Sequence, residues 1–418
     1  MAHTPLVPAT PPGIDATSHV VVAFSGGLDT SFAVLYLRQE FGCTVTTVTV
    51  DTGGFDAQEE ARIAARSAEL GAVKHYFIDG RQAVFDDHLA WLIKGNVLRG
   101  GVYPLCVGSE RVVQAREVAR IAADAGASFI VHGSTGAGND QVRFEVAIAA
   151  LFPGIKTWAP IRDMVVTRAQ SSAYLGERGF PVSAATKDYS INAGLWGVTI
   201  GGRETHDPWA YPPPAAWPTT VAPELAPAAG VELTIRFEKG LPVAVDGEAL
   251  GPLNLLERLR STAAAQGVGR GIHLGDTILG IKGRIAFEAC AAAVLVPAHR
   301  ELEKLVLSRA QLFHKEQLAD LYGQYLHEAK HFDPLMRDLE AFLDSTQRRV
   351  TGEVRVFLRQ GAMQVRGVRS PFSMLAPELA RYGEENALWD GRDAEGFSKI
   401  YGTQQLLSGL AGRRGGEA

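Results

Sequence analysis

The run Ala23 to Ser31, AFSGGLDTS, gathers in nine residues the groups that hold a phosphate. Gly26 and Gly27 let backbone N–H groups approach an anion closely. Ser25, Thr30 and Ser31 add hydroxyl donors, and the helix expected behind them adds the positive end of its dipole. Ala23 and Phe24 lead in from an apolar stretch; Leu28 and Asp29 follow the glycines. Asp29 cannot touch a bare phosphate favourably, so its carboxylate is expected to cap the helix, order the loop or meet a metal. The spacing and lysine of a Walker loop are absent. A glycine pair alone would be a tight turn before a capped helix. The whole Ser-Gly-Gly-x-Asp-x-Ser string asks for more.

A second string, HGSTGAGNDQVRFE (His132 to Glu145), sets Thr135, Asn139, Asp140 and Arg143 among Gly133, Gly136 and Gly138. Such a cluster can hold a zwitterion: guanidinium for a carboxylate, Asp for an ammonium, Asn and Thr for orientation. By residue type alone, a structural loop with surface charges explains it equally well. A third string, DYSINAGLWGVTIGG (Asp188 to Gly202), offers the hydroxyls of Ser190 and Thr199 and by itself reads as a loop.

Strands and helices in alternation must position these strings. His19 to Phe24 is a continuous apolar run suited to a strand buried on both faces. Ser31 to Phe41 reads as a helix stopped by Gly42, and Val45 to Val50 as a strand. Asp56, with Glu59 at capping-box spacing, opens a helix that closes at Leu70–Gly71. Val73 to Ile78 is a strand, Ser109 caps a helix running to Ala125, and Ser128 to His132 and Ile155 to Ala159 are further strands. Right-handed crossovers and a doubly wound parallel sheet follow, with both glycine-rich strings at strand carboxyl ends.

Beyond residue 185 the alternation stops. Pro208 to Gly230 is rich in Pro and Ala and is expected to run irregularly over the surface. Val231 to Gly247 has a hairpin signature turning at Lys239–Gly240, repeated at Gly352 to Val368, and Glu301 to Ser345 is helical by its apolar spacing. The expected organisation is a disordered tail (1–18), an α/β nucleotide-binding domain (19–185), an α+β domain (186–375) and a C-terminal helical arm (376–418). Trp196 and Trp209 are expected to pack the domain junction, Glu59 to Arg66 to be a solvated helix face, and His132 and His206 to be structural.

The composition agrees. With 418 residues, 46% hydrophobic and 21% charged, the chain reads as a multidomain globular protein. No apolar run approaches the roughly 20 residues that span a bilayer. The first 18 residues lack Lys and Arg, which speaks against a secretory signal and for the cytoplasm. Cys43, Cys106 and Cys290, scattered and odd in number, suggest neither a disulfide framework nor a zinc knuckle, and no metal ligands are assigned. A net charge of −5 argues against nucleic acid as a partner.

The first string resembles the pyrophosphate loop of the ATP pyrophosphatase superfamily. With the second and third in order, and with PIRD (Pro160 to Asp163), GVGR (Gly267 to Arg270), GIKGR (Gly280 to Arg284), AHRELEKLVL (Ala298 to Leu307), VTGEV (Val350 to Val354) and DAEGFSKI (Asp393 to Ile400), the chain resembles the argininosuccinate synthase family over nearly its whole length. The resemblance implies ligation of citrulline and aspartate through a citrullyl-adenylate, with ATP and Mg²⁺, in a cytoplasmic homotetramer. It assigns Ala23 to Ser31, the strand end at Val50 and Gly133 to ATP. Thr135, Asn139 and Asp140 would hold aspartate. Tyr103, Ser109, Arg111, Asn139, Arg143, Ser190, Thr199 and Asp276 would face citrulline, with Asp29, Asp140 and Arg143 acting in catalysis. Departures are the loop Tyr103 to Val113, Ala137 for a usual lysine, and Gly275 and Phe287 where the family has glutamate and tyrosine.

Rival readings are a paralogous ligase for a related ureido or carboxylate substrate, another ATP pyrophosphatase and a non-catalytic nucleotide-binding protein. A tRNA-thiolating enzyme would be expected to show basic surface and a cysteine pair. GMP or asparagine synthetase would bring a glutaminase domain. A mere binder would have little reason to keep Thr135 to Arg143.

Overall fold

A computed structural model describes residues 13–181, 189–383 and 386–416. The expected boundary at 185 and Asp188 fall outside these residues. Residues 13–18, expected within a disordered tail, form a turn in which Ser18 N donates to the Asp15 carbonyl at 3.0 Å and Ile14 is buried.

Five strands build the parallel sheet: β1 (His19–Ala23), β2 (Thr44–Asp51), β3 (Lys74–Asp79), β4 (Phe129–His132) and β5 (Lys156–Trp158), in the order β3-β2-β1-β4-β5. Val20 and Val22 of central β1 join the core with α1 (Leu28–Glu40), whereas Val21 joins the opposite core. One strand thus serves two helical layers, the reason its sequence is apolar without alternation. α2 (Ala57–Glu69) is opened as expected, Asp56 accepting from Glu59 N at 2.8 Å. α1 begins three residues earlier than expected, after Gly27 in an extended conformation, so Leu28–Ser31 forms its first turn.

The stretch after β3 carried no legible pattern. It holds α3 (Arg81–Val84), a π-helical turn at Phe85–Leu89 and α4 (Ala90–Gly95), continuous with one another. α5 (Glu110–Asp124) follows. Ser109 occupies its N-cap position, but in a helical conformation and without a side-chain cap, which corrects the expected capping role. α6 (Asp140–Leu151) packs with α5 on one face, and α7 (Pro160–Asp163) and α8 (Arg168–Glu177) pack with α1 on the other.

The following part is α+β. The third string, expected as a loop, is a hairpin of β6 (Ser190–Gly194) and β7 (Gly197–Gly201). β8 (Val231–Glu238) and β9 (Leu241–Val245) turn at Lys239–Gly240, both with positive φ. Next come β10 (Glu248–Ala249), α9 (Pro252–Ala265), and the unanticipated pair β11 (Arg270–Asp276) and β12 (Lys282–Glu288). α10 (Cys290–Val306), α11 (Arg309–His327) and α12 (Pro334–Gln347) precede the second expected hairpin, β13 (Gly352–Arg359) and β14 (Ala362–Arg369). The sheets run β10-β9-β8-β13-β14 and β11-β12-β7-β6.

Pro208 to Gly230 is largely irregular but carries two single 3-10 turns, Pro214–Ala216 and Pro223–Leu225, and is not wholly superficial: Ala216, Trp217, Thr220 and Ala226 are buried. Trp196 is 1% exposed, its Nε1 donating to the Pro104 carbonyl at 2.9 Å. Trp209 is 96% exposed, follows Pro208 in an irregular stretch and packs no junction. The chain from Phe372 onward is a separate compact unit, with α13 (Gly391–Tyr401) and α14 (Thr403–Arg414) burying no side chains.

Candidate active site

β1 and β4 lie side by side, and the chain leaves their carboxyl ends in opposite directions, the point where open α/β sheets bind ligands. From β1 comes the loop Phe24–Gly27. Thr30 Oγ1 accepts from Ser25 N at 3.3 Å, and Gly27 N donates to Ser25 Oγ at 3.4 Å. Gly26 is left-handed (φ +67°), and a Cβ there would come within 3.1 Å of Ile63. Ser25 and Gly27 are exposed. Ser31, by contrast, is fully buried, its Oγ accepting from Arg66 Nε at 3.4 Å. Helical spacing turns it away from the loop that Thr30 faces.

Asp29 does not cap α1, whose N-cap residue is Gly27. Its carboxyl is half-buried, and burial raises it against the opposing pull of Arg168. Gly133, just after β4, packs against this turn; a Cβ there would meet Thr30 Cγ2 at 3.0 Å. Ala23 and Val50 lie in β1 and β2, Val50 paired with Ile78 of β3.

From β4 comes the second string. Gln141 Nε2 donates to the Gly136 carbonyl at 2.5 Å, ordering a loop in which Thr135 is exposed. Asp140 is the first residue of α6 and receives two guanidinium groups, Arg111 Nε at 3.0 Å and Arg143 Nη1 at 3.2 Å. Burial pushes its carboxyl up, but the two arginines outweigh burial and hold it below the usual range. Asn139 Oδ1 accepts from the backbone of Ile278, 2.9 Å away in the turn after β11. The second sheet therefore closes directly onto the start of α6.

Tyr103 is buried beside this closure, stacked on His273 with ring centroids 5.3 Å apart and tilted against Phe287 at 5.2 Å. Arg99 holds His273 Nε2 at 3.2 Å and the Asp276 carbonyl at 2.7 Å. The Asp276 carboxylate points elsewhere, onto Lys282 at 2.7 Å. Ser109 is buried, and its hydroxyl has no partner among the described residues. Arg111 reaches Asn192 of β6 at 3.3 Å, while Ser190 is exposed on the same strand and Thr199 is buried on β7. The structure thus brings Arg111, Asn139, Asp140 and Arg143 into one cluster beside Tyr103. Ser109 and the Asp276 carboxylate stay out of it.

Arg99, His273 and His327, the last with its Nδ1 3.1 Å from Arg143 Nη2, were not expected here, since they come from segments without a motif. His206 is exposed, while His132 is buried 3.6 Å from Glu145, consistent with a structural part for the latter. Burial raises all three thiols, Cys290 to about 12, so no thiolate nucleophile is on offer. What remains is chemistry by positioning: a loop of glycines and hydroxyls on one strand end and a charged cluster on the next.

Comparison with known sequences matches both halves of this arrangement. Residues 19–181 fit the model of the arginosuccinate synthase N-terminal HUP domain, and residues 189–407 that of the arginosuccinate synthase C-terminal domain. The chain belongs to the argininosuccinate synthase family. Argininosuccinate synthase of Methanocaldococcus jannaschii is 38% identical over 94% of this chain and 98% of its own length. That of Pyrobaculum aerophilum is 40% identical over the same shares, and that of Xanthomonas campestris pv. campestris 41%. The family assignment accounts for the parallel sheet and the antiparallel second part together.

Proposed function

We propose that this chain joins citrulline to aspartate, activating citrulline with ATP as a citrullyl-adenylate and releasing pyrophosphate and AMP. The observation that carries the reading is the adjacency of two strand ends: the glycine-rich loop after β1 and the Asn139–Asp140–Arg143 cluster after β4, to which Arg111 adds a second guanidinium. Full-length family similarity supports it. Ala23 to Thr30 and Gly133 would face ATP, with the Val50 backbone toward the base. Thr135, Asn139 and Asp140 would hold aspartate; Tyr103, Arg111, Arg143, Ser190 and Thr199 would hold citrulline.

The ureido oxygen would attack the α-phosphorus, and the aspartate amine would then displace AMP. The loop and the α1 terminus would neutralise developing charge. Mg²⁺ would arrive with ATP; it is usually held by one or two carboxylates plus phosphates, and Asp29, committed to no cap, suits that. A cytoplasmic homotetramer fits the family and the uncovered faces of α13 and α14. Incubation with ATP, citrulline and aspartate, following pyrophosphate and AMP, tests the reading. Oxygen-18 in the ureido group should appear in AMP; its absence there would refute the route.

A further inference from the structure

Glu110, in the first turn of α5, is fully buried beside the cluster and has no part in the chemistry above. Thr52 Oγ1 donates to its Oε2 at 3.0 Å, and Oε1 has no hydrogen-bond partner among the described residues. Facing it is Gly194, at the turn of the β6–β7 hairpin, where any Cβ would overlap the carboxyl group. The Thr52 carbonyl accepts from Leu195 N at 2.7 Å, so the same turn is tied to the end of β2. Thr52 Oγ1 also accepts from Gln114 Nε2 at 3.2 Å, and Gln114 Oε1 receives Arg111 Nη1 at 2.9 Å. Arg111 then reaches Asn192 and Asp140.

We propose that Glu110 is a positioning residue for the first substrate, seating the β6–β7 turn through Gly194 and steadying Arg111 through Thr52 and Gln114. This rests on the reading that Arg111 and that hairpin meet citrulline. The two positions are complementary, since a glutamate at 110 demands glycine at 194. Burial pushes Glu110 up to about 8, and Asp140 adds to the rise, while Arg111, Thr52 and the Leu195 N–H oppose it. Tyr103 and Cys106, on the preceding loop, also face it and stay neutral, raised by burial. At neutral pH the carboxyl keeps its proton, so glutamine is its close substitute. Ionisation near pH 8 sets a second carboxylate beside Arg111, in competition with Asp140.

The test reads ATP–pyrophosphate exchange against citrulline concentration. Glu110→Ala should raise the citrulline KM by about two- to tenfold, the scale of one hydrogen bond between neutral groups, with the ATP KM unchanged. Glu110→Gln should keep the wild-type value at neutral pH and lose the rise in citrulline KM that the wild type shows through about pH 8. Gly194→Ala should impair the citrulline KM, and adding Glu110→Ala should recover part of the loss by making room for the methyl. A citrulline KM unmoved by Glu110→Ala, or a double variant with the two losses multiplied, overturns the proposal. Should the alanine variants fail to fold, the pH profile of Glu110→Gln decides it alone. If wild-type exchange is independent of citrulline, the functional reading falls and this one with it.

Discussion

Arg143 Nη2 lies 3.1 Å from both the carbonyl oxygen and the Nδ1 of His327. An arginine has no lone pair to offer, so Nδ1 accepts and the ring proton sits on Nε2, 3.2 Å from the Asp276 carbonyl. His327 therefore ties a site arginine on α6 to the end of β11. His327→Gln, which can accept and donate in the same sense, should retain most citrulline affinity. His327→Phe should weaken it by roughly tenfold, the cost of an unmet bond to a charged donor. Steady-state KM values for citrulline in the two variants check this; equal values would sink it.

Asp140→Asn keeps the size of the side chain and removes its charge. Adenylate formation needs no aspartate, whereas the second step does. Citrulline-dependent pyrophosphate exchange should therefore outlast argininosuccinate synthesis. Because Asp140 also holds Arg111 and Arg143, some rise in the citrulline KM should accompany the change. Equal loss of exchange and synthesis would show that the carboxylate serves only to brace the two arginines.

Gly27 has an ordinary φ of −82°, and a Cβ there would touch only Ser25 Oγ at 3.3 Å. Gly27→Val should therefore fold, yet put a branched side chain where the proposed function brings phosphate. Calorimetry should show ATP binding weakened at least about tenfold, the loss expected when one or two backbone hydrogen bonds to an anion are blocked. Gly26→Ala should differ in kind: its left-handed backbone makes the cost one of stability, about 1–2 kcal/mol.

The two tryptophans of the expected junction should part company. Trp196→Ala should cost about 3–5 kcal/mol, as large core truncations do. Trp209→Ala should stay within about 0.5 kcal/mol. Chemical denaturation of each variant measures the difference.

His299, His327 and His331 are each lowered to about 4, burial being the first cause in all three. The unfolded chain, with ordinary histidines, binds these protons first. Stability should therefore fall as pH drops from about 6.5 toward 4, by about 1.4 kcal/mol per pH unit for each proton. His331→Gln should flatten that slope by one proton's share. An unfolding midpoint constant between pH 7 and 4.5 would contradict the assignment.

Much of this was legible before any coordinates. Apolar runs such as His19–Phe24 and Val45–Val50 announce strands buried on both faces, and the Asp56 cap and the turn at Lys239–Gly240 are set by local chemistry. The turn at Phe24–Gly27 was legible for the same reason: its glycines and hydroxyls act within a few residues of one another. Ser31 shows the limit, because a helix starting three residues earlier rotates its hydroxyl into the core. Arg99, His273 and His327 were invisible, being drawn to the site by tertiary contacts between residues up to 184 positions apart. Asp276 fell at the right place with the wrong group facing inward, its carbonyl rather than its carboxylate. Periodicity sees side-chain polarity and is blind to such a substitution of backbone for side chain.

The π-helical turn at Phe85–Leu89 has a consequence for how this chain tolerates change in length. One wide turn holds an extra residue, and each residue of a regular helix advances the face by about 100°. In that turn five residues cover about the arc that four cover in regular helix, so the extra residue is absorbed locally and the flanking turns stay in phase. Deleting the exposed Asp86 would let the segment close into ordinary helix with little rotation of what precedes it relative to α4. Arg81 would keep its ion pairs with Asp79 and Asp51, and Val84 its place in the core. The turn is thus a built-in allowance for length: a one-residue deletion there should cost less than one inside α4, where the buried Leu92 and Ile93 would be swung by about 100°.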